Sequence, residues 1–104
     1  MLFFLVAKDG TDKDALARRL AVREQHIALS EEAIKKGEQI LGCAILNDNK
    51  EMAGSIMLVD FEDRKKLNEW LENEPYVTGN VWDDIEIYPC QIGPSFQHIL
   101  KKTS

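Results

Sequence analysis

The chain has 104 residues and a net charge of −5 at pH 7, with 44% of its residues hydrophobic and 30% charged. We assign residues 1–104 to a single domain, since a chain of this length forms one core. The acidic balance argues against nucleic acid and anionic membranes as partners, because both are bound through basic surfaces. The apolar run Met1–Ala7 is too short to span a membrane and lacks the features of a signal peptide. We therefore expect a cytoplasmic protein.

Cys43 and Cys90 are the two cysteines of the sequence. A reducing cytoplasm disfavours a disulfide, so we expect both to be small buried hydrophobic residues. The cysteines and histidines do not have the spacing of metal ligands, and the sequence has no glycine-rich phosphate loop. We expect no metal site and no cofactor.

The hydrophobic periodicity predicts four strands and two helices. In chain order they are a strand Leu2–Ala7, a helix from about Asp12 to Lys36, strands Gln39–Leu46 and Gly54–Asp60, a helix from about Asp63 to Asn73, and a strand Asp84–Pro89. Thr11 or Asp12 is the expected N-cap of the first helix, and Gly37 is expected to end it. The segment Phe96–Lys102 has no clear pattern.

The order βαββαβ predicts an α+β, ferredoxin-like fold, in which both helices cover one face of a four-stranded antiparallel sheet. The usual strand order 4-1-3-2 places the first and third strands in the centre. These two strands are the continuously apolar ones, as central strands should be. The far face of the sheet is then apolar and uncovered, so we expect a homodimer joined through it.

The first predicted helix carries polar residues between two apolar stripes. The stripes are Leu16, Leu20, Ile27 and Ile34, and Ala15, Val22, Leu29 and Ala33; the polar band is Arg19, Arg23, His26 and Ser30. An imidazole beside two guanidinium groups is a candidate site, because histidine changes charge near neutral pH and arginine binds anions. The alternative is a histidine at the edge of the core with arginines that pair inside the protein.

The second predicted helix should bury Leu67, Trp70 and Leu71, which share one face. Pro75 should end it, because proline disfavours helix in the residue before it. The aromatic residues that follow, Tyr76 and Trp82, suit either a pocket for a flat ligand or a dimer interface.

Four short motifs in this order resemble those of one family. They are Arg19–His26 (RLAVREQH), Ala53–Ser55 (AGS), Glu74–Val77 (EPYV) and Val81–Trp82 (VW). Together they resemble the YciI-like (YCII-related) family, which belongs to the dimeric α/β-barrel superfamily. The similarity runs from the first strand to Pro89. It implies a dimeric α/β barrel that binds a small molecule.

The resemblance also implies a site. In the family a helix histidine is paired with an aspartate of a D-P-[FY] turn, and some members are implicated in dehalogenation or isomerisation. The histidine here is His26, and Ser55 and Tyr76 would line the substrate site. Because Ser55 is near the start of a strand, a structural role is the alternative for it. The aspartate position holds Glu74, whose extra methylene requires local repositioning to reach the imidazole. The alternative is that Glu74 merely precedes the helix-stopping Pro75.

Two functions follow. In the first, a cofactor-free enzyme transfers a proton through His26, with Glu74 orienting the ring and Arg19 or Arg23 holding an anionic, aromatic or enolic substrate. In the second, the chain is a non-catalytic ligand-binding or accessory dimer. The exchange of aspartate for glutamate at position 74 favours the second.

Overall fold

The computed structural model describes residues 1–103. That range folds into four strands, three α-helices and a C-terminal 3-10 helix. The elements are β1 (Leu2–Asp9), α1 (Ala15–Lys35), β2 (Gln39–Leu46), β3 (Met52–Asp60), α2 (Arg64–Glu72), α3 (Pro75–Thr78), β4 (Trp82–Cys90) and the 3-10 helix Pro94–Thr103. None of the helices in the described range is long and apolar enough to cross a bilayer.

The four strands form one sheet in the order β2-β3-β1-β4, with every neighbouring pair antiparallel. The predicted ferredoxin-like α+β fold is therefore confirmed, including β1 and β3 as the central strands. Leu5 pairs with Met57 on β3 and with Ile87 on β4, so these three side chains share one sheet face. That face carries the core.

The core lies between this sheet face and the helices. Alternate residues of β1 point into it, because successive side chains of a strand point to opposite faces. The buried cluster is Phe3, Leu5, Ala7, Met57, Val59, Phe61, Leu67, Leu71, Tyr76, Val81 and Trp82. On the far face Phe4, Val6 and Ile56 are only partly buried.

The N-terminus of α1 differs from the prediction. The helix begins at Ala15 with Asp14 as its N-cap, not Thr11 or Asp12. Asp12 instead forms two hydrogen bonds to the guanidinium of Arg18, at 2.8 and 2.7 Å, and accepts the Asp14 N–H at 3.2 Å. The carboxylate therefore fixes the loop before the helix.

Gly37 follows the C-terminal end of α1, as predicted. Gly37 has a φ of 74°, which glycine adopts readily, and the Glu38 N–H donates to the Ala33 carbonyl at 2.8 Å.

The orientation of α1 corrects the predicted apolar stripe. Leu20 is 53% exposed and Ile34 is 48% exposed, whereas Arg19 is only 3% exposed. The buried positions of α1 are Ala15, Arg19 and Ala33. Small alanine side chains face the sheet here, and Arg19 is buried because it finds an acidic partner, described below.

Two further expectations about burial are wrong. Trp70 is half-buried at the edge of the core, where its ring lies 5.6 Å from that of Phe61, while Leu67 is fully buried. Cys43 and Cys90 are free and exposed, because they lie on the two edge strands of the sheet. With three strand spacings between them, they are beyond disulfide reach.

Candidate functional site

The turn at Glu74 both ends α2 and starts α3. Glu74 is the N-cap of α3, Pro75 occupies the first turn, and the Tyr76 N–H donates to Glu74 Oε1 at 2.9 Å. An acidic N-cap followed by proline is a common helix start. The sequence contains this signal, but the sequence analysis interprets Pro75 only as the end of the preceding helix. The side chain of Glu74 is fully buried.

His26 lies against this buried carboxylate. Its Nδ1 atom is 2.9 Å from Glu74 Oε1, the same oxygen that accepts the Tyr76 N–H. An ionised carboxylate only accepts hydrogen bonds, so the contact assigns the imidazole proton to Nδ1. Within residues 1–103 no protein atom is hydrogen-bonded to the other nitrogen, Nε2. In the neutral ring, Nε2 then carries a free lone pair.

Two aromatic side chains hold the plane of the His26 ring. The imidazole stacks on Tyr76 with ring centres 3.9 Å apart and an angle of 14°. The Trp82 ring is nearly perpendicular to the imidazole, with the ring centres 6.4 Å apart. Tyr76 and Trp82 are both buried, and burial raises the pKa of the Tyr76 phenol. The sequence left open whether these residues line a pocket or an interface; the structure packs both against the histidine.

Arg19 is held by protein groups. Its Nη1 donates to both oxygens of Asp9, at 2.9 and 3.0 Å, and its Nη2 donates to Ser55 Oγ at 2.9 Å. The indole N–H of Trp82 donates to the same hydroxyl at 3.3 Å, and the guanidinium lies 4.5 Å above the Tyr76 ring. Burial raises the pKa of Asp9, although the Arg19 charge acts in the opposite direction.

Asp9 was missed by the sequence reasoning, which placed it in a loop. The structure makes it the last residue of β1, on the buried face of the strand. The sequence signal for Asp9 was weak: an acidic residue two positions after the predicted strand and ten residues before an arginine of the next helix.

A cavity of about 250 Å³ lies between α1 and the β2–β3 half of the sheet, and we call it the α1 cavity. Five of the six predicted site residues line it: Arg19, Arg23, His26, Ser55 and Tyr76. Glu74 does not line the cavity but is hydrogen-bonded to two residues that do, His26 and Tyr76. The structure thus brings all six predicted residues to one place.

The lining residues differ in what they offer a ligand. Arg23 is exposed and has no ion pair with a carboxylate anywhere in residues 1–103. Arg19 and Ser55 hydrogen-bond to protein groups. Gln39, which the sequence reasoning did not single out, is a buried polar residue of the same wall. In the described part of the chain no group of histidine, cysteine and acidic side chains is arranged to hold a metal ion.

Comparison with known proteins identifies the family. The profile of the YCII-related domain matches residues 1–91. The chain belongs to the YCII-related family. An uncharacterized protein of Haemophilus influenzae is 30% identical over 95 residues, a match that spans 86% of this chain and 95% of the relative. Protein YciI of Escherichia coli is 26% identical over 95 residues, with the same two coverages.

Solved structures show the same fold. The 5-chloro-2-hydroxyhydroquinone dehydrochlorinase of Burkholderia phenoliruptrix AC1100, in complex with 2,5-dihydroxybenzoquinone, superposes with a TM-score of 0.77 at 23% identity, over 91% of this chain and 98% of that one. Rv0793 of Mycobacterium tuberculosis superposes with a TM-score of 0.53 at 12% identity, over 90% and 99% of the two chains. These likenesses concern the fold.

Proposed function

We propose that this YCII-related protein is a cofactor-free enzyme. It transfers a proton during isomerisation or elimination, including dehalogenation, of a small anionic substrate of aromatic or enolic type. The observation that carries the proposal is the hydrogen bond between His26 Nδ1 and Glu74 Oε1, which leaves Nε2 unbonded on a residue that lines the α1 cavity.

The proposed chemistry begins with His26 as a general base. Nε2 takes a proton from the substrate, and the imidazolium that forms is stabilised by the buried carboxylate of Glu74. In an elimination, the electron pair left behind forms the new double bond and the halide leaves with the electrons of its own bond, so that hydrogen halide is lost overall. In an isomerisation, His26 returns the proton to a different atom. Such proton transfer accelerates reactions by about 10²–10⁴-fold.

The lining of the cavity supports an anionic substrate. Arg23 has a free guanidinium at the cavity and is proposed to bind a substrate oxygen in a bidentate manner. Tyr76 stacks on His26 and is proposed to hold the imidazole at the cavity wall. Arg19 and Ser55, which are bonded to protein, are proposed to form a fixed wall against which the substrate rests.

The size of the cavity supports a substrate of one ring. A volume of about 250 Å³ lies just below the range of pockets for drug-sized ligands. The fold relative whose name states dehydrochlorination supports the elimination form of the chemistry.

The proposal includes a cytoplasmic homodimer. Residues of α2 and α3 pack in the core on one sheet face, while on the other face Phe4, Val6 and Ile56 are only partly buried within a single chain. A second copy would cover these apolar side chains. Light scattering of Val6→Asp against wild type tests this: a dimeric wild type and a monomeric variant support the interface, and a monomeric wild type contradicts it.

Chloride release from 5-chloro-2-hydroxyhydroquinone, measured without oxygen, tests the activity. Wild type is expected to release chloride, and His26→Gln is expected to do so about 10²–10⁴-fold more slowly while remaining folded. His98→Gln is the matched control, because His98 is exposed. Equal rates for wild type and His26→Gln would contradict the proposal. Binding of the compound without chloride release would favour the non-catalytic ligand-binding alternative.

A further inference from the structure

Gln39 has a buried amide that the protein leaves incompletely bonded. The side chain is 4% exposed and lines the α1 cavity, yet its Oε1 atom is buried without a hydrogen-bond partner in the described residues. A buried polar atom without a partner lowers stability, and native proteins seldom retain one unless it has a use. The amide is therefore a second polar feature of the cavity besides the cluster around His26.

The backbone of Gln39 lies at the opposite end of the cavity from that of Ser55, which bonds to Arg19. Gln39 pairs with Val59 on β3, whereas Ser55, which bonds to Arg19, pairs with Ala44. Val59 and Ser55 are four residues apart, which corresponds to about 13 Å along a strand. On α1 the cavity lining extends to Ile34, two helical turns beyond His26. The cavity is therefore lined by Arg19 and Ser55 at one end and by His26 along its length, and the Gln39 side chain enters it from the other end.

A glycine leaves room for this amide. A Cβ atom on Gly42 would lie 3.1 Å from Gln39 Nε2, which is tighter than an ordinary contact. Gly42 also lines the cavity. The glycine therefore keeps the space beside the Gln39 amide open, because a larger side chain at position 42 would crowd the amide.

We infer that Gln39 determines specificity by binding a hydroxyl group on the side of the substrate ring away from the atom that His26 deprotonates. A hydroxyl both donates and accepts, so it satisfies an amide in either orientation. The substrate class is then a ring with polar groups on two opposite sides. This inference rests on the proposed function for the position of the reacting atom.

Two small probes that differ by one group test the subsite. Hydroquinone carries a hydroxyl where 4-methylphenol carries a methyl group. Their dissociation constants are measured without oxygen by NMR titration, with the Trp82 indole N–H as reporter, because it bonds to Ser55 in the cavity wall. Wild type should bind hydroquinone about tenfold or more tightly than 4-methylphenol.

The variants assign the preference to Gln39. Gln39→Leu and Gln39→Met remove the amide and should bind both probes equally. Gln25→Leu, which changes an exposed glutamine of α1, is the control and should keep the wild-type preference. The ligand-free Gln39 variants should unfold at the same or higher denaturant concentration than wild type, because they lose an unbonded polar group.

Several outcomes would overturn the inference: a wild type that binds neither probe or shows no preference, a preference kept by both Gln39 variants, or a clear loss of stability in both. A different result would contradict the proposed function without contradicting the Gln39 subsite. If His26→Gln keeps full chloride release while the Gln39 variants lose the hydroquinone preference, the subsite stands and the role of His26 does not.

Discussion

His26 Nδ1 and Glu74 Oε1 lie 2.9 Å apart, and the same carboxylate oxygen caps α3 through the Tyr76 N–H. One buried atom therefore fixes both the start of a helix and the orientation of an imidazole. The other oxygen of Glu74 is buried without a partner in the described chain, so the Oε1 contacts carry the hydrogen bonding of this carboxylate. The tautomer of His26 is thereby linked to the local backbone.

Glu74→Gln should lower chloride release by about 10–100-fold, the usual effect of losing the group that orients a functional histidine. The amide retains the size of the side chain but no longer stabilises an imidazolium. Glu74→Asp should lose less activity, since it keeps the charge and remains a good N-cap but is one methylene shorter. Steady-state rates of the two variants, with exposed Glu72→Gln as the control, measure this. A Gln variant as active as wild type would show that the charge is not needed.

Leu67→Ala should destabilise the protein more than Trp70→Ala. Leu67 is fully buried, so its truncation should cost about 2–5 kcal/mol through lost burial and the cavity left behind. Trp70 is half-buried and packs on Phe61 at the edge of the core, so its removal leaves space that water reaches. Urea denaturation of both variants measures the free energies of unfolding. A larger loss for Trp70→Ala would contradict the packing described above.

The buried Arg19–Asp9 pair should behave as a unit. Arg19→Met should cost about 3–5 kcal/mol, because it leaves the Asp9 carboxylate buried and uncompensated. The double variant Arg19→Met with Asp9→Leu should recover much of that loss, since no buried charge then remains. A double-mutant cycle in urea measures the coupling. Additive losses from the two single changes would show that the residues do not stabilise each other in this way.

The sequence predicted the fold well because its signals are local. Alternation and apolar runs located all four strands. The orientation of α1 was not predictable in the same way. The large side chains of Leu20 and Ile34 favoured a core-facing stripe, but Arg19 turns to the core instead. Its partner Asp9 lies on β1, so the pair forms only when β1 and α1 are packed together.

The candidate site was predicted in its residues but not in its connections. The order of short motifs identified His26 and Glu74, and the structure brings them together. The different roles of the two arginines were not predictable, because whether an arginine is free depends on tertiary contacts. Arg19 bonds to Asp9 and Ser55, whereas Arg23 has no such partner among the described residues. Gln39 was missed because a polar residue that begins a strand carries no signal of burial.

The central claim is that Glu74 holds the proton on Nδ1 of His26 and leaves Nε2 free to act as a base. Long-range ¹H–¹⁵N NMR of the neutral imidazole measures this directly, with exposed His98 as the internal reference. The account predicts the Nδ1–H tautomer for His26 in wild type, and loss of that preference in Glu74→Gln. An Nε2–H tautomer in wild type would contradict it, because the nitrogen proposed to accept the substrate proton would already carry one.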